Sequence, residues 1–198
     1  METEHGPSGE MGFYAHDEIN VIKPGKNYGW PNVIGIAHDS RYVDPILQTG
    51  DTTWAPSGAS FYHADKIPDL KYKFLVATLR GQHLEVLGLD PKEDKVVSSE
   101  PVFQDKYGRL RDVEEGPDGY LYVLTSNRDG RGSPAADDDR ILRISSSSSV
   151  ASSTVPEFLS WQFVLPFAIT IFVLTTRLSH NLRTGTCNSS TNLDGRYQ

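Results

Sequence analysis

The hydrophobic residues of the segment 74–144 recur mainly with a period of two, and this pattern restricts the folds open to the chain. Five segments in this region read as short strands, separated by Gly, Pro or Asp turns: KFLVATL, HLEVLGLD, KVVSSEPVF, YLYVLT and RILRI. Successive side chains of a strand point to opposite faces, whereas a helix repeats about every 3.6 residues. The region 74–144 is therefore predicted to be all-β.

The strand pattern also repeats along the chain. FLVATLRG at residue 74 returns as YLYVLTSN at residue 120, and HLEVLGLD after the first is mirrored by RILRI after the second. A spacing of about 46 residues suits one four-stranded propeller blade, for which repeats of about 40–50 residues are usual. Because two blades cannot bury both of their ends, we expect the C-terminal blades of a larger propeller.

The charge balance argues against a nucleic-acid partner. The chain has a formal net charge of -7, and its basic residues are scattered rather than clustered. Binding to phosphates requires a clustered basic surface. The loop at 127–139, NRDGRGSPAADDD, is acidic; its aspartates could bind calcium, but a solvated loop is the favoured interpretation.

An uncharged apolar stretch near the C-terminus predicts a transmembrane helix. It covers residues 158–176 and is close to the ~20 residues that cross a bilayer. Trp161 lies near one end, and Arg177 and Arg183 follow the other, which favours a span over a buried core helix. The positive-inside rule then places residues 177–198 in the cytoplasm and residues 1–144 outside.

Residues 145–157 form a Ser/Thr-rich linker between these two parts. The prediction is a single-pass protein of the cell membrane with an extracellular propeller domain. STVPEF before the span resembles the Pro-Glu-Phe C-terminal sorting signals of archaeal surface proteins, although the tail beyond Arg177 is longer than the usual basic end.

Two arginines, Arg109 and Arg111, lead into an apolar hairpin in GRLRDVEEGPDGYLYVLT. Residues two apart on a strand point to the same face, so both guanidinium groups are expected to project together, with Leu110 facing away. From the residues alone, either an anionic ligand or a surface edge strand explains them.

Four motifs in order carry a family resemblance: HGP followed by DEINVIKPGKNYGWP, then APSGASFY, FLVATLRGQHL and GRLRDVEEGPDGYLYVLT. Together they resemble the C-terminal half of the soluble aldose sugar dehydrogenases that use pyrroloquinoline quinone (PQQ), the glucose/sorbosone dehydrogenase family. The resemblance covers about residues 3–144 and implies a six-bladed β-propeller with PQQ on its top face.

The resemblance also implies roles for individual residues. The cofactor would contact Arg109, Arg111, Asp17, Thr53 and Arg80, the last standing where the family usually has a lysine. A guanidinium fork suits the three carboxylates and the quinone of PQQ. The backbone carbonyls of Gly6 and Pro7 would hold a calcium ion, a hard cation that prefers oxygen ligands. The insertion SGEMGFYAH before Asp17 departs from the shorter family spacing.

The implied activity is oxidation of the C1 hydroxyl of an aldose to a lactone, with hydride transfer to PQQ and onward transfer of electrons to an external acceptor. The family's general base is a histidine in the N-terminal half, and no histidine here lies in a matching segment. If residues 1–198 are the whole product, we expect little or no turnover. Two alternatives stay open: a non-catalytic cell-surface propeller scaffold, and a calcium-dependent sugar lactone hydrolase.

Overall fold

The computed structural model describes residues 1–146, except 91 and 93, together with the strand Leu174–Thr175. Its strands are all antiparallel and fall into three sheets. The first sheet has the order β1-β2-β3, formed by Glu2–Glu4, Glu18–Asn20 and Leu47–Gln48. Two short 3₁₀ turns, Glu10–Gly12 and Pro68–Leu70, lie in the loops.

The second sheet is a four-stranded meander in the order β4-β5-β6-β7. Its strands are Pro56–Phe61, Phe74–Thr78, Leu84–Asp90 and Lys95–Val102. The third sheet contains β8 (Leu110–Glu115), β9 (Leu121–Thr125), β10 (Ile141–Ile144) and β11 (Leu174–Thr175), in the order β11-β10-β9-β8. The five predicted strands are therefore confirmed as β5, β6, β7, β9 and β10.

The internal repeat corresponds to equivalent strands of the two meanders. FLVAT is the second strand of one sheet and LYVLT the second strand of the next, while LEVLGLD and ILRI are the third strands. Consecutive four-stranded meanders of this kind are the blades of a propeller. The expected all-β architecture is confirmed in the described part of the chain.

The core explains why β5 reads as a continuous apolar run rather than a strict alternation. All five of its residues are buried. Phe74 and Val76 pack with Ile19 toward the first sheet, whereas Leu75 and Ala77 join the cluster shared with the third sheet. A strand covered on both faces needs apolar side chains at every position. The middle blade is thus packed between its neighbours, and this packing fixes the loops at the strand ends.

Most of the predicted linker, the predicted span 158–176 and the tail lie outside the described residues. Leu174 and Thr175 are the exception: they pair with Arg143 and Leu142 of β10, so they are strand where the sequence predicts helix. No helix among the described residues is long and apolar enough to span a bilayer. The membrane segment stays a prediction.

Candidate functional site

A cleft of about 440 Å³ gathers loops from all three sheets. It is bordered by the segment after β1, the approach to β2, the loop before β4, the end of β5, the approach to β8 and the loop after β9. The predicted site residues that line it are Gly6, Pro7, Asp17, Thr53, Arg80 and Arg109. Residues from distant parts of the sequence therefore meet at a single place.

Asp17 ties three of these loops together through its carboxylate. Its Oδ1 accepts a hydrogen bond from the backbone N–H of Gly6 at 3.0 Å. Its Oδ2 accepts two more, from Trp54 at 2.7 Å and Ala55 at 2.9 Å. The side chain is nearly sealed from solvent, with 3% of the residue exposed. A buried carboxylate is tolerable when its oxygens are hydrogen-bonded in this way.

Gly6 is required because the chain passes very close to itself here. A Cβ at this position would lie 1.7 Å from the carbonyl oxygen of Ala15. Pro7, the next residue, is buried. Within the described residues there is no group of three or more His, Cys, Asp or Glu side chains that could hold a metal ion. A cation at this wall would have to rely on backbone carbonyls and on a ligand's own oxygens.

Thr53 and Arg80 lie on the exposed rim of the cleft. The backbone N–H of Arg80 donates to the carbonyl of Trp54 at 2.9 Å, so the end of β5 is fastened to the loop before β4. In the described part of the chain, the Arg80 guanidinium has neither an ion-pair nor a hydrogen-bond partner. It is free to meet an anion in the cleft.

Arg109 is held rigidly in the wall. Its Nε donates to Oδ2 of Asp129 at 2.9 Å, and Nη2 lies 2.8 Å from the same oxygen. Nη1 donates to the carbonyl of Leu79 at 3.3 Å. Only 9% of the Arg109 side chain is exposed. Since each terminal nitrogen carries two N–H groups, one on each is left for a ligand.

Arg111 differs from Arg109 because the strand is irregular between them. The pairing of β8 with β9 shifts between Leu110 and Asp112, which leaves Arg111 in a β-bulge. Its side chain is 47% exposed and is not among those that line the cleft. Nevertheless its Nη2 lies 3.6 Å from Oδ2 of Asp129. The two guanidinium groups do lie side by side, as expected, and Leu110 is buried in the core.

The carboxylate that lies between Arg109 and Arg111 is the side chain of Asp129. The Arg109 guanidinium lowers the pKa of Asp129, helped by the backbone N–H of Arg131 and by the charge of Arg111. Asp129 is therefore ionised at neutral pH and offsets one of the positive charges.

Sequence reasoning missed Asp129 and Arg131, which lie in the loop interpreted as solvated. Arg131 lines the cleft together with Arg80 and Arg109. The loop is also better ordered than its composition suggests, because the Asp138 side chain is only 2% exposed and accepts hydrogen bonds from Asn127 and Arg140. The solvated interpretation was wrong for Asp138. The only hint in the sequence was the Asp-Gly pair at 129–130, which is typical of a turn.

The histidines near the cleft are engaged by backbone groups. The ring Nε2 of His5 lies 2.7 Å from the carbonyl of Pro56, and Nδ1 of His16 lies 2.8 Å from that of Tyr14. His83 is buried, with Nδ1 at 2.9 Å from the carbonyl of Gly81 and Nε2 at 3.1 Å from Oε2 of Glu85. The His83–Glu85 contact lacks the geometry of a hydrogen bond and is an ion-pair contact.

Successive four-stranded blades with an arginine-lined cleft at their loop ends define a propeller-type protein whose site suits a small anionic ligand. Residues 1–143 match the glucose/sorbosone dehydrogenase family. The chain belongs to this family.

Relatives with names and structures agree with that assignment. The chain is 36% identical over 141 residues to the aldose sugar dehydrogenase YliI of Escherichia coli, a match that covers 65% of this chain and 36% of that protein. A glucose dehydrogenase structure from Thermus thermophilus superimposes with a TM-score of 0.62 at 46% identity, covering 71% of this chain and 40% of that one. The PQQ-bound aldose sugar dehydrogenase of Streptomyces coelicolor gives a TM-score of 0.58 at 34% identity, with 71% and 38% covered.

The chain therefore spans between a third and two fifths of the length of these relatives.

Proposed function

We propose that the chain forms the C-terminal blades of a six-bladed, PQQ-dependent aldose dehydrogenase, which oxidises the C1 hydroxyl of a sugar to a lactone. The observation that carries the proposal is the cleft, where six residues implied by the family motifs meet although they are spread over residues 6–109. The PQQ-bound relative from Streptomyces coelicolor supports the choice of cofactor.

The side chains of the cleft fit a small polyanion. Arg80 offers a whole guanidinium, Arg109 offers its two remaining N–H groups, and the Thr53 hydroxyl lies on the rim. Guanidinium groups bind carboxylates through parallel charged hydrogen bonds and remain charged at every working pH. PQQ carries three carboxylates and, when bound, supplies the quinone that accepts the substrate's hydride. We assign Arg80, Arg109, Arg111, Thr53 and Asp17 to its binding.

These residues bind and orient rather than transfer protons. Arg109 is held at three nitrogen atoms, so it has little freedom to lose when a ligand carboxylate arrives. Asp17 has its oxygens committed to backbone amides, and its contribution is to fix the loops of Gly6 and Ala55 around the cleft. A site fixed before binding loses less entropy on association.

Calcium is part of the proposal through the carbonyls of Gly6 and Pro7. The chain passes close to itself at this wall, since a Cβ at Gly6 would lie 1.7 Å from the Ala15 carbonyl oxygen. Backbone carbonyls are suitable ligands for a hard cation, which would also bind oxygens of the cofactor.

The family's general base is a histidine, and no histidine of this chain lies in a segment that matches it. The chain by itself would therefore bind PQQ but turn over little sugar. An external acceptor would reoxidise the cofactor. We further propose that residues 158–176 span the cell membrane and hold the propeller outside, with residues 177–198 in the cytoplasm, because the arginines follow the apolar stretch. Insertion of this segment would require Leu174 and Thr175 to leave their pairing with β10.

The proposal is tested by titrating the 198-residue chain with PQQ in the presence of Ca²⁺ and following cofactor absorbance and bound calcium. We expect saturable binding that EDTA weakens, and no dye reduction with glucose. An open frame upstream of Met1 that encodes further blades and a histidine should give a longer product that reduces dye with aldoses. If neither the 198-residue chain nor the longer product bound PQQ, the proposal would be wrong.

A further inference from the structure

The carboxylate of Asp129 contacts two of the arginine segments that border the cleft, and it uses a different oxygen for each. Oδ2 accepts from Nε of Arg109 at 2.9 Å. Oδ1 accepts from the backbone N–H of Arg131 at 2.9 Å. The Asp129 side chain is 18% exposed, so it lies between these groups rather than in open solvent.

The loop that follows Asp129 wraps around the Arg109 side chain. A Cβ at Gly132 would lie 3.0 Å from Cδ of Arg109 and 2.5 Å from the carbonyl of Asn127. Gly130 has a φ of +83°, a backbone conformation that suits glycine. Arg131, between these two glycines, is carried to the rim of the cleft, where its side chain has no ion-pair partner among the described residues.

We propose that Asp129 is a positioning residue of the cofactor cleft, which sets Arg109 through Oδ2 and presents Arg131 as an additional contact for the anionic ligand through Oδ1. The inference rests on the proposed function, since the ligand in question is PQQ. It adds two residues to the site that the family motifs did not indicate.

The same geometry permits an opposite effect. Asp129 could act as a competing carboxylate that occupies the Arg109 guanidinium until the ligand displaces it. The contacts favour the positioning role, because Asp129 accepts from the Nε side of the Arg109 guanidinium and leaves one N–H on each terminal nitrogen available to a ligand. The two roles predict changes of opposite sign, so one experiment separates them.

Asp129→Asn is the decisive variant. The amide can keep an oxygen facing the Arg131 N–H, but its NH₂ then meets Nε of Arg109, donor against donor. We expect PQQ affinity to fall at least tenfold, with a larger fall in Asp129→Ala, where both contacts are lost. Asp118→Asn is the matched control, since Asp118 is an exposed aspartate that does not line the cleft. The PQQ affinity of this variant should equal that of the wild type.

A second measurement does not depend on the cofactor. In ¹⁵N spectra of the ligand-free chain, the Arg109 Nε–H should exchange slowly with water in the wild type and in Asp118→Asn, and rapidly in Asp129→Asn. Arg131→Ala should lower PQQ affinity several-fold while leaving the Arg109 signal unchanged, and Arg131→Lys should recover part of the loss.

The outcomes are distinct. If the wild type binds no PQQ, the proposed function fails, and the Arg109 exchange rates still decide the positioning of that side chain. If the wild type binds PQQ and Asp129→Asn binds it equally well or more tightly, the positioning role is overturned. Equal affinities of Arg131→Ala and the wild type would remove Arg131 from the site.

Discussion

Oδ2 of Asp17 accepts a hydrogen bond from the backbone N–H of Trp54 at 2.7 Å, across 37 residues of sequence. This contact fastens the segment just before β2 to the loop that leads into the middle blade. Trp54 in turn accepts hydrogen bonds through its carbonyl from the N–H groups of Arg80 and Gly81, both at 2.9 Å. One carboxylate and one carbonyl therefore connect three loops of the cleft, so its shape depends on Asp17.

Replacing Asp17 with Ala should destabilise the chain on the order of 3 kcal/mol, because backbone N–H groups that it serves would be buried without acceptors. Urea unfolding followed by tryptophan fluorescence measures the change. Asp118→Ala is the control: this exposed carboxylate accepts hydrogen bonds from Tyr120 and Tyr122 within one hairpin, and its loss should cost clearly less than the loss of Asp17. Equal costs for both variants would show that Asp17 does not hold the loops together.

Gly6→Ala should lower the free energy of unfolding by about 1–3 kcal/mol, since the new methyl group must displace the backbone at Ala15. It should also weaken calcium-dependent PQQ binding by moving the wall that carries Pro7. Gly25→Asn is the comparison, because Gly25 has a φ of +70° with nothing within 4 Å of a Cβ, and asparagine tolerates that conformation. Calorimetric melting of both variants checks the prediction; a mild Gly6→Ala would mean that the loop can shift.

The strands and their grouping were predictable because one interaction dominates them. The period-two pattern of HLEVLGLD and YLYVLT follows from burial on a pleated sheet, and the repeat distance follows from blade size. The continuous apolar run of β5 carries the same information, since that strand is covered on both faces. Whether each of these segments forms a strand depends on its own residues, and these can be read from a single sequence.

The site was predictable only where motif and geometry coincide. Asp17, Arg80 and Arg109 were expected and do line the cleft. Arg111 was expected to project beside Arg109 and does so at Asp129, but it lies in a bulge of β8 and is not among the residues that line the cleft. Single-sequence alternation does not reveal where a ladder shifts. Asp129 was missed because its partner is 20 residues away in sequence, across a turn whose composition is that of an ordinary loop.

The buried pair of His83 and Glu85 should make stability depend on pH. Burial by itself would lower the pKa of His83, but the Glu85 carboxylate and the Gly81 carbonyl outweigh it and raise the pKa above its ordinary 6.5. A raised pKa in the folded state stabilises the protein below the unfolded value, and this contribution is lost as the pH rises through the folded value. The free energy of unfolding should therefore fall above pH ~6.5.

His83→Gln removes the titrating group, and its unfolding free energy should change less between pH 6 and pH 8 than that of the wild type. Glu85→Gln removes the partner and should flatten the same part of the profile. Chemical denaturation at several pH values gives both comparisons. A wild-type slope that persists in both variants would assign the pH dependence to other groups.

Arg109→Ala and Arg111→Ala should separate in their effects. Loss of Arg109 leaves Asp129 without its main partner in the wall and removes the proposed contacts to the cofactor, so both stability and PQQ affinity should fall. Loss of Arg111, which is exposed and lies at 3.6 Å from Asp129, should spare stability and reduce PQQ affinity to a smaller extent. Binding titrations paired with thermal melts measure the two quantities; an unchanged affinity in Arg111→Ala would leave Arg111 as a counter-charge to Asp129.

Arg80 offers the cleanest separation of binding from folding, because its guanidinium has no protein partner among the described residues. Arg80→Ala should weaken PQQ binding by about 10- to 100-fold, the loss of one charged hydrogen bond of about 1.5–3 kcal/mol, with no change in the unfolding midpoint. Arg80→Lys keeps the charge but not the fork and should fall between the two. Arg41→Ala removes an exposed guanidinium paired with Asp39 outside the cleft and should leave PQQ affinity unchanged. If Arg41→Ala weakened binding as much as Arg80→Ala, the attraction would come from net charge rather than from the arrangement of arginines at the cleft.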